Sequence, residues 1–167
     1  MYTILGFDIL TICVEVNMRC PEAESLTKII LTVFSVNGCL LDAGDKLVEP
    51  LKLTSARWQV MGAVALADKQ LTAPQIAGAM GITRQGVQKQ VNVMVKEGLL
   101  TLHPNSGHKK SPFIALSKLG AQVYKKVDRL QTDWANRLAT GISSKDLQVT
   151  LRTLETVRER LIRNIGE

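Results

Sequence analysis

LTAPQIAGAMGITRQGVQKQVNVMVKEG, residues Leu71 to Gly98, holds two short helical patterns that meet at Gly81. Thr72 and Gln75 have the spacing of a capping box, in which a hydroxyl accepts from the orphan N–H groups of a new helix and an amide three residues on reaches back. Ile76, Ala77 and Met80 supply an apolar face. Gly81 stands where this first helix must end in a left-handed backbone conformation that is cheap only for glycine. Thr83 is the expected N-cap of the second helix. There Val87, Val91 and Met94/Val95 recur every three to four residues and predict one buried side, leaving Gln85, Gln88, Lys89 and Asn92 to share the other.

Arg, Lys, Gln and Asn are the side chains whose donors and acceptors match base edges in the DNA major groove. No acid interrupts the pattern until Glu97. A polar helix face alone is only a solvated face. The capped helix before it, the small Ala77 and the Gly81 turn change that reading, because small residues let two helices cross closely, as a groove-reading helix-turn-helix requires. Thr83, Arg84, Gln85, Gln88, Lys89 and Asn92 are therefore the candidate reading residues, with Arg84 and Lys89 suited to guanine or phosphate and Gln88 and Asn92 to adenine.

Beyond Gly98 the chain reads strand, loop, strand. Leu99 to His103 is apolar, Pro104 to Ser111 (PNSGHKKS) is turn-rich and basic, and Phe113 to Leu116 is apolar again, which predicts a β-hairpin wing. The order of elements resembles the MarR family of bacterial winged-helix transcription regulators. Leu53-Thr54-Ser55-Ala56-Arg57-Trp58, Leu71-Thr72 to Gly98, and Leu116-Ser117-Lys118-Leu119-Gly120 carry the resemblance, which covers roughly Pro21 to the C-terminus. It implies a mainly α fold with a small β-hairpin wing (α+β), a winged helix-turn-helix flanked by N- and C-terminal dimerisation helices. It also implies a homodimeric repressor that binds a pseudo-palindromic duplex and is released by a small aromatic effector between the dimerisation helices and the head. Arg57 and Trp58 are the candidate effector residues, weighed against a core Trp58 and a solvent-facing Arg57. One departure is plain: the family's wing commonly carries an Asp and a minor-groove Arg near its tip, and here the tip reads Asn105-Ser106-Gly107-His108-Lys109-Lys110. Lys109 and Lys110, helped by His108, are left as the basic wing contacts.

Charge is concentrated where this reading needs it. The net charge is +6, yet Lys69 to Lys126 carries nine basic residues against one acid, and the remainder twelve against fourteen. A phosphate-binding surface requires that asymmetry, and a uniformly basic protein lacks it. No cofactor or catalytic residue is expected: the sequence has no nucleophile elbow, phosphate-binding glycine loop or HExxH, and His103 and His108 have no partners at metal-ligand spacing. Three cysteines, Cys13, Cys20 and Cys39, give an odd count with no CxxC, so cytoplasmic thiols are expected. The resemblance admits Cys20 or Cys39 as an oxidant sensor, whereas the apolar helical surroundings of Cys39 favour a small buried hydrophobe.

Four segments follow from these patterns. Residues 1–20 form an apolar N-terminal extension interrupted by Asp8 and Glu15, a poor signal peptide and too short for a membrane span. It is expected to be either an added element or the product of a start upstream of Met18. Residues 21–52 hold a helix with the stripe Leu26, Ile29, Ile30, Val33, Phe34, Leu40 and Leu41, then a polar connection from Asp42 to Pro50. Residues 53–116 are the DNA-binding head, in which Thr54 caps a supporting helix to about Ala67 containing Trp58, Val60, Met61, Val64 and Leu66. Residues 117–167 are two helices, the second running from Ser143 with the stripe Leu147, Leu151, Leu154, Val157, Leu161 and Ile165. Such a narrow seam suits pairing with a second copy, or an intramolecular hairpin in a monomer. Two other functions fit the same pattern, a winged-helix protein-interaction module and a non-specific nucleoid-type DNA binder. Regular Gln and Asn positions within a basic stretch favour the sequence-specific regulator.

Overall fold

The computed structural model describes residues 19–164, so Cys13, Met18 and Ile165 lie outside the described residues. Its elements are α1 (Pro21–Val48), a 3-10 turn (Glu49–Leu51), α2 (Ser55–Ala65), β1 (Leu71–Thr72), α3 (Ala73–Met80), α4 (Arg84–Lys96), β2 (Leu100–His103), β3 (Phe113–Leu116), α5 (Lys118–Ala139) and α6 (Ser144–Asn164). The chain divides into two compact units at the boundary between Ala43 and Gly44.

The first unit is most of α1, and its apolar stripe is uncovered: Ile29, Ile30, Val33, Phe34, Leu40 and Leu41 are all exposed. Cys20 and Cys39 are exposed as well, so Cys39 is not the buried hydrophobe its neighbours predict. The physical reason is that the flanks of α1 have no cover among the described residues. By length and composition alone, the run Pro21–Leu51 is apolar enough to cross a bilayer, with a mean hydropathy of 1.5.

The second unit contains the core. α1 does not stop at Asp42 but runs through the expected polar connection to Val48, because Leu40, Leu41, Gly44, Leu47 and Val48 keep helical spacing and Val48 is wholly buried. Pro50 and a left-handed Lys52 (φ 57°) then turn the chain. Gly44 permits the junction: a Cβ there would lie 3.1 Å from Ser55 Cβ and 3.4 Å from the Trp58 ring. Asp45 accepts from the Ser55 N–H at 2.6 Å and from its hydroxyl at 2.7 Å, tying the end of α1 to the first turn of α2. These bonds, the hydroxyl's first, hold the Asp45 carboxyl below its ordinary range.

α2 supplies Val60, Met61 and Ala63 to the core and ends at Ala65. Leu66 is 78% exposed and Met80 of α3 37% exposed, so neither packs inward as its spacing predicts. Leu66 follows the last helical residue, where the helical face no longer governs its direction, and Met80 ends α3 beside the Gly81 turn. Ile76 and Ala77 of α3 meet Val87, Val91 and Met94 of α4 inside this core. Leu100, Ile114 and Val127 close it from β2, β3 and α5. Fully burying one such aliphatic side chain contributes about 1.5–3 kcal/mol, so this cluster dominates the packing of the two helices.

The sheet has order β1-β3-β2 and is antiparallel throughout. Leu100 pairs with Leu116 and His103 with Phe113, forming the expected hairpin. β1 is unexpected: Leu71 and Thr72 pair with Ile114 and Phe113, and two residues are too few to show an alternation in sequence. After β3, Ser117 caps α5 by accepting from the Gly120 N–H at 2.9 Å, while its own N–H donates to the Leu99 carbonyl at 3.0 Å. Gly120 packs so tightly there that a Cβ would sit 2.0 Å from the Leu99 oxygen. From Ser144 to Arg163 every residue of α6 is exposed except the half-buried Val157, so Leu147, Leu151, Leu154 and Leu161 lie open like the stripe of α1.

Gly120→Ala is expected to lower stability by about 1–3 kcal/mol, because the obstacle is backbone rather than a movable side chain. Chemical denaturation followed by circular dichroism measures it, and an unchanged midpoint refutes the tight junction. Asp45 gives a pH dependence of definite sign. Its folded pKa is depressed, so its stabilisation is present above the unfolded carboxylate range and is lost as pH falls through the lowered folded value. The difference in melting temperature between the wild type and Asp45→Asn should therefore narrow in acid, and a difference constant from neutral to acid pH refutes the assignment.

Candidate nucleic-acid interface

The candidate reading helix, α4, is capped by Thr83, in extended conformation, whose hydroxyl accepts from the Gly86 N–H at 3.0 Å. Val87, Val91 and Met94 fix its roll by turning inward, which turns Arg84, Gln85, Gln88, Lys89 and Asn92 outward. Each of these five side chains is exposed, as is Thr83. Gln88 Nε2 donates to Asn92 Oδ1 at 2.8 Å, one helical turn away. The bond leaves the Gln88 carbonyl as an acceptor and the Asn92 amide as a donor, the pair that complements adenine N6 and N7.

The turn before this helix has the geometry its sequence predicts. Gly81 is left-handed (φ 65°), and the carbonyl of Ala77 accepts from the Ile82 N–H at 3.1 Å. Gln75 Oε1 accepts from both the N–H and the hydroxyl of Thr72, each at 2.8 Å; the first is the reach-back bond of the expected capping box, and the second turns the Thr72 hydroxyl into a donor to that amide.

Asn105 organises the wing, a role missed in the sequence reading. Its Nδ2 donates to the Ser111 carbonyl at 2.8 Å, its Oδ1 accepts from the Gly107 N–H at 3.1 Å, and its own carbonyl accepts from the His108 N–H at 3.2 Å. The signal was present in Asn-Ser-Gly, since an Asn bonding its own backbone two residues on is an Asx-turn. Held in this way, the tip carries His108, Lys109 and Lys110 as exposed side chains. Wing and reading helix also converge: Gln88 and Lys110 line one cleft of about 220 Å³ together with Ala73, Leu102 and Ile114. A second cleft of about 480 Å³ lies between Thr72, Pro74 and Gln75 on one side and Asn105, His108 and Phe113 on the other.

Arg57 and Trp58 lie elsewhere in the head. Arg57 Nη1 donates to Glu97 Oε2 at 3.0 Å, so the single acid of the basic stretch is paired. Trp58 is half-buried and packs on the core beside Gly44. Among the described residues no group of three or more His, Cys, Asp or Glu side chains could hold a metal ion.

The family described as MarR family matches residues 51–111, which span the supporting helix, the helix-turn-helix and most of the wing. An uncharacterised protein of Mycobacterium tuberculosis is 33% identical over 132 residues, covering 79% of this chain and 91% of that one. In structure, the chain is similar to a MarR-family transcriptional regulator from Rhodococcus sp. RHA1, with a TM-score of 0.69 at 16% identity over 84% of this chain and 96% of that one. It is likewise similar to CouR from Rhodococcus jostii RHA1 bound to p-coumaroyl-CoA, with a TM-score of 0.69 at 18% identity over 78% of this chain and 91% of that one. These neighbours share the mainly helical architecture with its small antiparallel sheet, and the first is a transcriptional regulator rather than an enzyme.

Replacing Asn105 by Ala removes both side-chain bonds that close the wing tip. Amide hydrogen exchange across residues 105–111 should then accelerate while exchange in α4 stays unchanged. Equal protection of the tip in wild type and variant refutes the organising role.

Proposed function

The chain belongs to the MarR family of transcriptional regulators, and on that premise we propose that it is a sequence-specific, cytoplasmic repressor that binds a pseudo-palindromic operator as a homodimer. One observation carries this reading: α4 exposes Arg84, Gln85, Gln88, Lys89 and Asn92 as a continuous acid-free face. Arg84 and Lys89 address guanine or phosphate, and Gln88 with Asn92 addresses adenine. Thr83 sets the N-terminus of the helix against the backbone, where the positive end of the helix dipole favours phosphate. Lys109 and Lys110, with His108, clamp phosphates from the wing, without the Asp-oriented Arg that the family resemblance implies.

Two reading heads need a spacing of about 34 Å, one turn of duplex, and hence two copies of the chain. The exposed apolar stripes of α1 and α6 support that assembly: each leaves large aliphatic side chains in water that a second protomer would cover. The same cover accounts for the apolar length of α1 without a membrane. A small aromatic effector completes the reading. CouR was solved with p-coumaroyl-CoA bound, and Arg57 and Trp58 are the residues we assign to such a ligand, although the guanidinium is shared with Glu97 and the indole packs on the core. Such a ligand relieves repression only by binding unequally to the DNA-competent and DNA-incompetent states.

Selection from random duplex tests the proposal. The expected motif is palindromic, with half-sites one helical turn apart, and its affinity falls when an aromatic carboxylate from a screened panel is added. Gln88→Ala should relax preference at one base position per half-site by about 1–3 kcal/mol of discrimination. Lys109→Ala should instead weaken all duplexes alike and flatten the salt dependence by about one phosphate. Equal losses on selected and random DNA from both variants would remove the base-reading assignment, and enrichment of no motif would leave a non-specific DNA binder.

A further inference from the structure

Among the described residues, the ion pair of Arg57 with Glu97 is the only one that joins segments far apart in the chain. The other two are exposed pairs one helical turn apart, within α1 and within α6. Arg57 stands in the first turn of α2, and Glu97 is the C-cap residue of α4. An acid is ill placed at that cap, because unpaired carbonyls make the C-terminus of a helix its negative end. It is equally ill placed beside a phosphate-binding face. The guanidinium at 3.0 Å offsets both disadvantages, and the Arg57 side chain, only 21% exposed, is less screened than a surface lysine. The first turn of α2 is itself held from the other side, where Asp45 accepts both bonds from Ser55.

We propose that Arg57 is a positioning residue for DNA recognition: acting through Glu97, it fixes the C-terminal end of α4 on α2 and so sets the angle at which Arg84 to Asn92 meet the groove. The inference rests on the regulator reading above. Base contacts are sensitive to such an angle, since hydrogen bonds weaken steeply once distance and alignment are lost. The pair thus controls discrimination between sequences without touching a base.

The test uses the full chain, its selected operator and a scrambled duplex of equal length at one salt concentration, and reads the ratio of the two affinities. Arg57→Gln removes a positive charge and Glu97→Gln a negative one. Acting through net charge alone, they would shift binding in opposite directions on both duplexes and leave the ratio unchanged. Positioning lowers the ratio in both variants, by about three- to fivefold each. The variant carrying both Gln substitutions should lose no more than either single, and the charge-neutral exchange Arg57→Glu with Glu97→Arg should recover at least half of the loss. Thermal unfolding by circular dichroism establishes that each variant is folded, and Glu97→Gln, at a part-exposed site, gives the deciding value. An unchanged ratio in Glu97→Gln overturns the proposal while leaving the regulator reading intact. A wild type with no preference for any selected duplex overturns the regulator reading and this inference together.

Discussion

The packing of α3 against α4 is the constraint on which the rest depends. Ile76 and Ala77 meet Val87, Val91 and Met94 in one buried cluster, and the burial of those three α4 positions leaves a single roll for the helix. That roll decides which side chains face water. Had the apolar residues been one position out of register, Arg84 and Gln88 would turn sideways by about 100°. Gly81 is necessary to this packing because it reverses the chain within three residues, and Gly120 because it lets α5 close the back of the core against the Leu99 carbonyl. Recognition chemistry and core packing are thus two faces of the same helix, set by one periodicity.

The periodicity also explains how much was legible in the sequence. The helix-turn-helix could be read because its signals are local: a capping residue, a glycine, and an apolar repeat of three to four. The hairpin strands were visible for the same reason. What escaped had its cause elsewhere in the chain. The extent of α1 to Val48 depends on a core supplied by later segments, with α2 beside it, and its polar residues Asp42, Asp45 and Lys46 hid the continuing spacing of Leu47 and Val48. β1 exists only because β3 lies beside it. The pairing of Arg57 with Glu97 spans forty residues and has no local signature. Asn105 differs, since its Asx-turn is encoded locally in Asn-Ser-Gly, but such a turn adds neither to the charge nor to the apolar periodicity by which the rest of the wing is recognised.

Charge and apolar surface occupy different parts of this molecule. The basic excess lies on the helix-turn-helix, wing and start of α5, and its one acid is paired. The large exposed aliphatic side chains lie chiefly on α1 and α6. A protein that binds a polyanion while assembling with itself benefits from that separation, because like-charged heads then repel one another without opposing the apolar contact between copies.

The two-residue strand β1 ties the base of the wing to the first residue of α3, through Leu71 with Ile114 and Thr72 with Phe113. The wing is consequently no hinged flap. Its root and the helix-turn-helix share a ladder of backbone hydrogen bonds and one buried cluster, so that reading helix and clamp behave as a single lever arm. A force applied anywhere on that arm is carried through the whole of it, and what such an architecture transmits is a bodily displacement rather than a softening within.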